Sequence, residues 1–350
     1  TVIAPDNSTY KTVEWSSSDE SLATVSADGI LTAQVTEATS APVTITATAI
    51  DGSGVVGEKT FNIRQIVQPE EVTIGQTFSV DNGYYCAIND RTLALDYTTV
   101  PAECTTSLIE WTSSNEAIAT VDNGVVTFNQ NGVFGDVTIT ATCPATGQSS
   151  SIKLNLAAGL VRELFKNENN VTWGATSHCT VTYNYDEGYM TVTTNTASAK
   201  QRADFKTLSP KTWLHAGEYP IIAIRMENVN DRDDVSAVNI NLDTSGNCEG
   251  TKFSGNLGGN NNKWAHDYKC NDGSHVYIYD LSTQTFPTGG ALPTTSVAEF
   301  TTFQVKYADI ATTAIEENLS FKVYSIQTFK TLQDVVNYIE GEGLTYEIIK

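Results

Sequence analysis

The sequence predicts an all-β chain of three β-sandwich modules in tandem: two small repeated ones, then a larger one with a single short C-terminal helix. Three observations predict it. Roughly one residue in seven is Thr, a β-branched residue whose stiff side chain suits a strand better than a helix. Short apolar–polar alternations recur between Gly, Asn and Asp turn signals. A long block of residues near the start returns about one domain-length later. The length of 350 residues fits two or three domains of ordinary size. A charged fraction of only 17% argues against disorder. Forty-one acidic against 20 basic groups give a net charge of −21, which repels a phosphate backbone and argues against a nucleic-acid partner. The same charge leaves room for an uncharged or cationic ligand. No apolar run approaches the about 18 residues of a membrane-spanning helix.

The repeat comes first in the chain. Val13-Glu14-Trp15-Ser16-Ser17-Ser18 and Ala23-Thr24-Val25 return as Ile109-Glu110-Trp111-Thr112-Ser113-Ser114 and Ala119-Thr120-Val121, at a common offset of 96. Gly29-Ile30-Leu31-Thr32 answers Gly124-Val125-Val126-Thr127, and Val43-Thr44-Ile45-Thr46-Ala47-Thr48 returns unchanged at 137–142. Such a period is too long for a solenoid and suits tandem sandwiches. Val43, Ile45 and Ala47 alternate with threonines, which predicts one buried and one solvated face. Trp15 and Trp111 are expected between two sheets. Asp28-Gly29 and Asn123-Gly124 signal two-residue hairpin turns, whose central positions both need φ > 0.

These motifs resemble the bacterial Ig-like domain family, group 2, over about 5–65 and 70–157. The resemblance implies spacers or stalks of surface proteins, and the first copy lacks the opening strands of the family. Neither copy gathers His, Cys or paired carboxylates, so no site is assigned to it. The expected boundaries are 1–66, 67–157 and 158–350.

After Leu156 the repeat stops. Strands are expected at 180–185, 189–194, 219–226, 237–243, 263–270, 275–281, 303–307 and 321–329, which suggests a jelly-roll sandwich. One stretch has helical spacing, Leu332, Val335, Val336 and Ile339, opened by Thr331 as N-cap with Asp334 three residues on. The six cysteines lack any C-x-x-C pair, so a zinc site is a poor reading. Cys248–Cys270 and Cys104–Cys143 are the two candidate disulfides, against the alternative of reduced buried thiols. Asp231-Arg232-Asp233-Asp234 reads as an exposed acidic turn rather than a calcium site, and no metal or cofactor is expected.

Candidate ligand contacts concentrate in this last module. If Asp272-Gly273 is a two-residue turn, Tyr268 faces Tyr277 and His266 faces Tyr279. Trp264, His266, Tyr268, His275, Tyr277 and Tyr279 then share one sheet face. Flat rings pack against pyranose C–H faces, so the stripe suits sugar. Whether this face or the one bearing Ala265, Val276 and Ile278 is buried stays open. Trp264 follows the Gly258–Lys263 loop, and Trp213 and Trp173 also have polar flanks, so each is a candidate for ligand or for core. Arg202 and Arg225 sit opposite apolar neighbours, as do Asn239 and Asn241, and their planar groups suit hydroxyls.

The segments Glu218–Arg225, Val276–Leu281 and Ile326–Thr331 resemble the C-terminal domain of surface glycan-binding lipoproteins in the polysaccharide-utilisation systems of Bacteroidetes. That resemblance implies a non-catalytic, monomeric binder of polysaccharide, with β-glucan the first guess. It also implies an outer-membrane lipoprotein whose anchor lies upstream of residue 1, working beside a glycan transporter complex. No nucleophile elbow, His-Glu-x-x-His or phosphate loop argues for an enzyme. The alternative is an adhesin for a protein or host surface.

Overall fold

The computed structural model describes residues 12–34, 41–75, 84–85, 92–129, 131–166, 173–195, 200–207, 211–228, 240–259, 262–311 and 319–350. Cys86, Asn239 and the 231–234 turn lie outside the described residues. By contacts the chain divides into two compact units. One comprises Thr1–Gly75, Asp96–Trp111 and Ala141–Ser150; the other comprises Gln76–Leu95, Thr112–Thr140 and Ser151–Lys350. The described residues are nearly all β, with one α-helix.

In the first repeat, Val13–Ser17, Ala41–Ala49 and Val56–Ile63 form one antiparallel sheet, and Ala23–Val25 pairs with Leu31–Ala33. The alternation works as expected: Val43 and Ile45 are buried, and Thr44 and Thr46 are half-exposed. Burying each of those apolar side chains stabilises the module by about 1.5–3 kcal/mol. Trp15, Leu22 and Leu31 pack on this core. The second repeat has the same strand series at Glu110–Ser113, Ala119–Asp122, Val125–Phe128, Gly135–Thr142 and Ser149–Leu156. Here a ribbon of Glu71–Ile74 and Tyr97–Val100 supplies Val72, Ile74 and Tyr97 against Trp111.

The two expected Gly turns differ. Asn123 and Gly124 both have positive φ, the two-residue turn predicted. Of Asp28-Gly29 only Gly29 does, and the Ser26 N–H donates to Ile30 O at 3.0 Å, so Ala27, Asp28 and Gly29 form a three-residue loop. Asn enters the left-handed region at small cost, whereas a three-residue loop asks that of Gly alone.

The C-terminal module is a two-sheet sandwich. One sheet runs Cys179–Asn184, Tyr189–Thr194, Ser320–Phe329, Ile221–Glu227, Ser274–Asp280, His266–Cys270 and Tyr346–Ile348, with Arg162–Glu163 beside Ser320–Phe329. The other runs Trp173–Ser177, Lys200–Thr207, Val297–Ala311, Ile240–Cys248 and Thr251–Leu257, with Thr212–His215 beside Val297–Ala311. Phe205, Phe303, Val305 and Leu242 of the second sheet meet Met190, Val192, Ile222 and Ile224 of the first between the layers. The helix Leu332–Gly341 covers the outer side of the first sheet, seating Val335 and Ile339 on Ile221, Ala223, Val276 and Ile278. Its capping box forms as expected: Asp334 N–H donates to Thr331 Oγ1 at 3.2 Å and Thr331 N–H to Asp334 Oδ2 at 2.9 Å.

Neither expected disulfide is present. Cys248 points into the core between the sheets, Cys270 into the layer under the helix, so a sheet separates them. Cys104 and Cys143 are buried free thiols. Burial pushes the Cys143, Cys248 and Cys270 thiols up, and Cys179 up to about 11. They act as small apolar residues.

Candidate functional site: a polar cavity at the sandwich end

The hairpin that was expected to carry the ligand face folds one residue out of the predicted register. His266 pairs with Ile278, Asp267 with Tyr277, and Tyr268 with Val276. The turn is the three-residue loop Asn271-Asp272-Gly273, with Gly273 at φ 84° and its N–H donating to Cys270 O at 3.0 Å. A one-residue slip moves every side chain of one strand to the other face. The predicted ring stripe is therefore split. Tyr268 turns toward the helix side, 6% exposed and stacked on Tyr346 at 5.0 Å. Tyr277 and Tyr279 turn into the core between the sheets, and His275 stacks on Tyr277.

The other candidates follow suit. Trp264 folds onto Tyr277, ring centroids 4.4 Å apart, and is 9% exposed. Trp173 is fully buried between Phe205 and Phe303. Trp213 is half-buried, its ring edge-to-face with Phe134 at 6.2 Å. His266 is half-buried beside Tyr268. The Arg202 side chain lies outside the described residues. Arg225 is spent on structure: it donates to Ser274 Oγ and to Asp272 at 2.6 Å, and its guanidinium lies over the Tyr324 ring. Burial opposes its charge, and Tyr338 and Asp272 more than compensate, raising its pKa.

The open space is elsewhere, around the turn residues that flank those rings. Asn256, Gly258, Gly259, Lys263, Ala265, Tyr279, Asp280, Thr283, Gln284, Thr285 and Pro287 line a cavity of about 490 Å³. It lies where the end of Thr251–Leu257 comes beside the end of Ser274–Asp280. Its lip is set by Gly258, at φ 72°, where an added Cβ would fall 1.9 Å from Lys263 O. Gln284 fixes that lip: its Oε1 accepts the Gly258 N–H at 2.7 Å and its amide donates to Thr285 O at 2.9 Å. Asp280 caps the short 3-10 turn Leu281–Thr283, Oδ1 accepting from Ser282 N and Oγ. The opposite wall is pinned by Ala265 N–H to Ile278 O and by Lys350 Nζ to Trp264 O, both 2.6 Å.

What remains for a ligand is chemically mixed. Among the described residues the exposed Lys263 ammonium makes no ion pair or hydrogen bond. Asp280 Oδ2 and the Thr285 hydroxyl are likewise unspent. Cation, carboxylate and hydroxyl together match a molecule whose groups both donate and accept. Tyr279 also lines the wall, but its ring lies in the core; its hydroxyl is buried without a hydrogen-bond partner among the described residues, and burial pushes its pKa well up. Reading the sequence found this neighbourhood but not these residues. The Gly258–Lys263 run signalled a wet loop, and Gly258, Gly259 and Lys263 line the cavity, while Trp264 turns inward.

Among known proteins, the bacterial Ig-like domain (group 2) matches residues 1–61. An Ig-like virion protein of Serratia phage KSP90 is 36% identical over 120 residues, 34% of this chain and 43% of that protein, so the chain spans less than half of that relative. Two solved structures overlay loosely. One concerns the promiscuous specificity of carbohydrate-binding modules from the β-sandwich superfamily, with TM-score 0.26 and 10% identity over 93% of this chain and 100% of that one. The other holds CBM51-2 in complex with GlcNAc and INT domains from Clostridium perfringens ZmpB, with TM-score 0.19 and 8% identity over 70% and 46%. Overlays this loose bear on neither ligand nor mechanism. The domain of unknown function DUF4979 matches residues 159–335, just over half of the 350, and the chain belongs to that family.

Proposed function

We propose that the C-terminal module, from about residue 158, is a non-catalytic carbohydrate-binding module carried behind Ig-like spacers on a cell surface. The observation that carries the reading is the polar cavity, whose volume suits one or two sugar units and whose unspent groups are Lys263, Asp280 and Thr285. Among the described residues its lining supplies one carboxylate, Asp280, and two-carboxylate glycoside cleavage takes a pair. The resemblance to surface glycan-binding lipoproteins points the same way, with outer-membrane anchoring, a transporter partner and β-glucan as its finer expectations. A cavity at the sandwich end suits a chain end or short segment better than the long strip of rings first expected.

The test is a glycan panel, β-glucans included, screened with the labelled whole chain and with Lys263→Ala. Binding to one glycan class that weakens in the variant supports the reading. Binding to no glycan overturns it. Cell-surface binding that soluble glycan fails to compete favours the second reading, an adhesin, in keeping with the likeness to an Ig-like virion protein.

A further inference from the structure

Trp213 does not serve the cavity, and its surroundings differ from those of the other tryptophans. The strand Thr212–His215 pairs with Val297–Ala311 and sends Leu214 into the sandwich core, leaving Trp213 on the outer side. There the indole meets a loop of the second repeat. Gly132, at φ 83°, lies so close that an added Cβ would sit 2.9 Å from the indole nitrogen. Phe134 packs edge-on against the same ring at 69°. The loop is braced from within its own repeat: Asn131 Nδ2 donates to Ala117 O at 3.1 Å, and Val133 N–H to Asn131 Oδ1 at 3.0 Å. The first copy has neither Gly nor Phe at 33–42, the corresponding stretch. Gly132 and Phe134 are thus peculiar to the repeat that meets Trp213.

The connecting chain is held as firmly. Leu156, Ala157 and Val161 are buried. The Thr328 hydroxyl accepts the Val161 N–H at 2.8 Å and donates to Gly159 O at 2.6 Å. Gly159, at φ 84°, lies where a Cβ would fall 2.6 Å from the His215 backbone nitrogen. All these residues belong to one compact unit. A flexible spacer would leave its linker exposed and polar.

We propose that this part of the second repeat and the C-terminal module form one rigid arm, clasped by Trp213 on Gly132 and Phe134 and tied by the buried 156–161 linker. Residues 112–140 are then a fixed extension of the binding module and not a swivel. The test measures rotational correlation times of backbone amides by NMR relaxation in the whole chain, comparing residues 112–140 with 173–350. Wild type should give one common time. Trp213→Ala should separate the two, and protease cutting at 157–161 should rise by roughly three- to tenfold, the range expected from losing one aromatic pair. Phe134→Ala removes the same contact from the other side and serves if the first variant does not fold. Two distinct times in wild type, or unchanged times and cutting in both variants, would overturn the proposal.

Discussion

The aromatic rings of the C-terminal module and its polar cavity sit at the two sides of the same strand ends, and they have opposite characters. Tyr277 and Tyr279 are packed to within a few per cent of full burial, and Trp264, 9% exposed, lies ring on ring with Tyr277. One residue away, Lys263 is exposed with its ammonium unpaired among the described residues, and Asp280 keeps one oxygen free. Rings in this module hold the two sheets together, and turn residues face the open cavity. The comparison teaches that an aromatic-rich strand is not by itself a sugar platform. Strands covered by a second sheet on one side and by the helix on the other, as Ile221–Glu227 and Ser274–Asp280 are, have no free face to offer.

Four variants break or sharpen that contrast. The largest effect is expected from Trp173→Ala, which empties a fully buried site between Phe205 and Phe303. Denaturant unfolding should show a loss of about 3–5 kcal/mol. The folded fraction should bind glycan as wild type does; a stable Trp173→Ala that has lost binding would break the contrast. Gly258→Ala comes next, since its Cβ meets Lys263 O and a left-handed φ is strained for Ala. We expect a destabilisation of about 1–3 kcal/mol together with weakened binding. Unaltered affinity would mean the lip is not part of the site.

Lys263→Ala should do the reverse of Trp173→Ala. Stability should stay within about 0.5 kcal/mol, as for an exposed residue with no side-chain partner among the described residues. Affinity should fall roughly tenfold, the worth of one hydrogen bond from a charged donor. The smallest effect concerns acid. Desolvation works against ionised Asp272, yet Ser274 and Arg225 outweigh it and hold its carboxyl below the usual carboxylate range. A depressed folded value adds stability above the unfolded pKa of about 3.9, and that stability fades as pH falls through the folded value. Asp272→Asn should therefore flatten the acid limb of a stability–pH curve by under about 1 kcal/mol, given its partial exposure. An identical acid limb in variant and wild type would remove Asp272 from the account.

The first half of the chain was readable because it is written twice. Two copies fix which residues alternate, and Val43, Ile45 and Ala47 are buried as that alternation demands. The copies even carried a warning: the Asp28-Gly29 loop is one residue longer than the Asn123-Gly124 turn, visible as an offset that falls from 96 to 95. Asp272-Gly273 has no second copy, and reading it as a two-residue turn moved its partner strand by one and turned Tyr268 to the wrong side. Thr251–Leu257 escaped notice because Gly255 and its polar residues carry little strand signal, as befits an edge strand. The cavity depends on that edge and on Asp280 and Gln284, turn residues ordinary in composition. Its position is a product of register, and register is what a single hairpin leaves weakly specified.

The most direct test is affinity electrophoresis of the whole chain beside Lys263→Ala, in gels that each contain one polysaccharide. The account predicts retardation of the wild type by at least one glycan and a clear loss of that retardation in the variant. Free migration of the wild type in every gel, or equal retardation of both proteins, would contradict it.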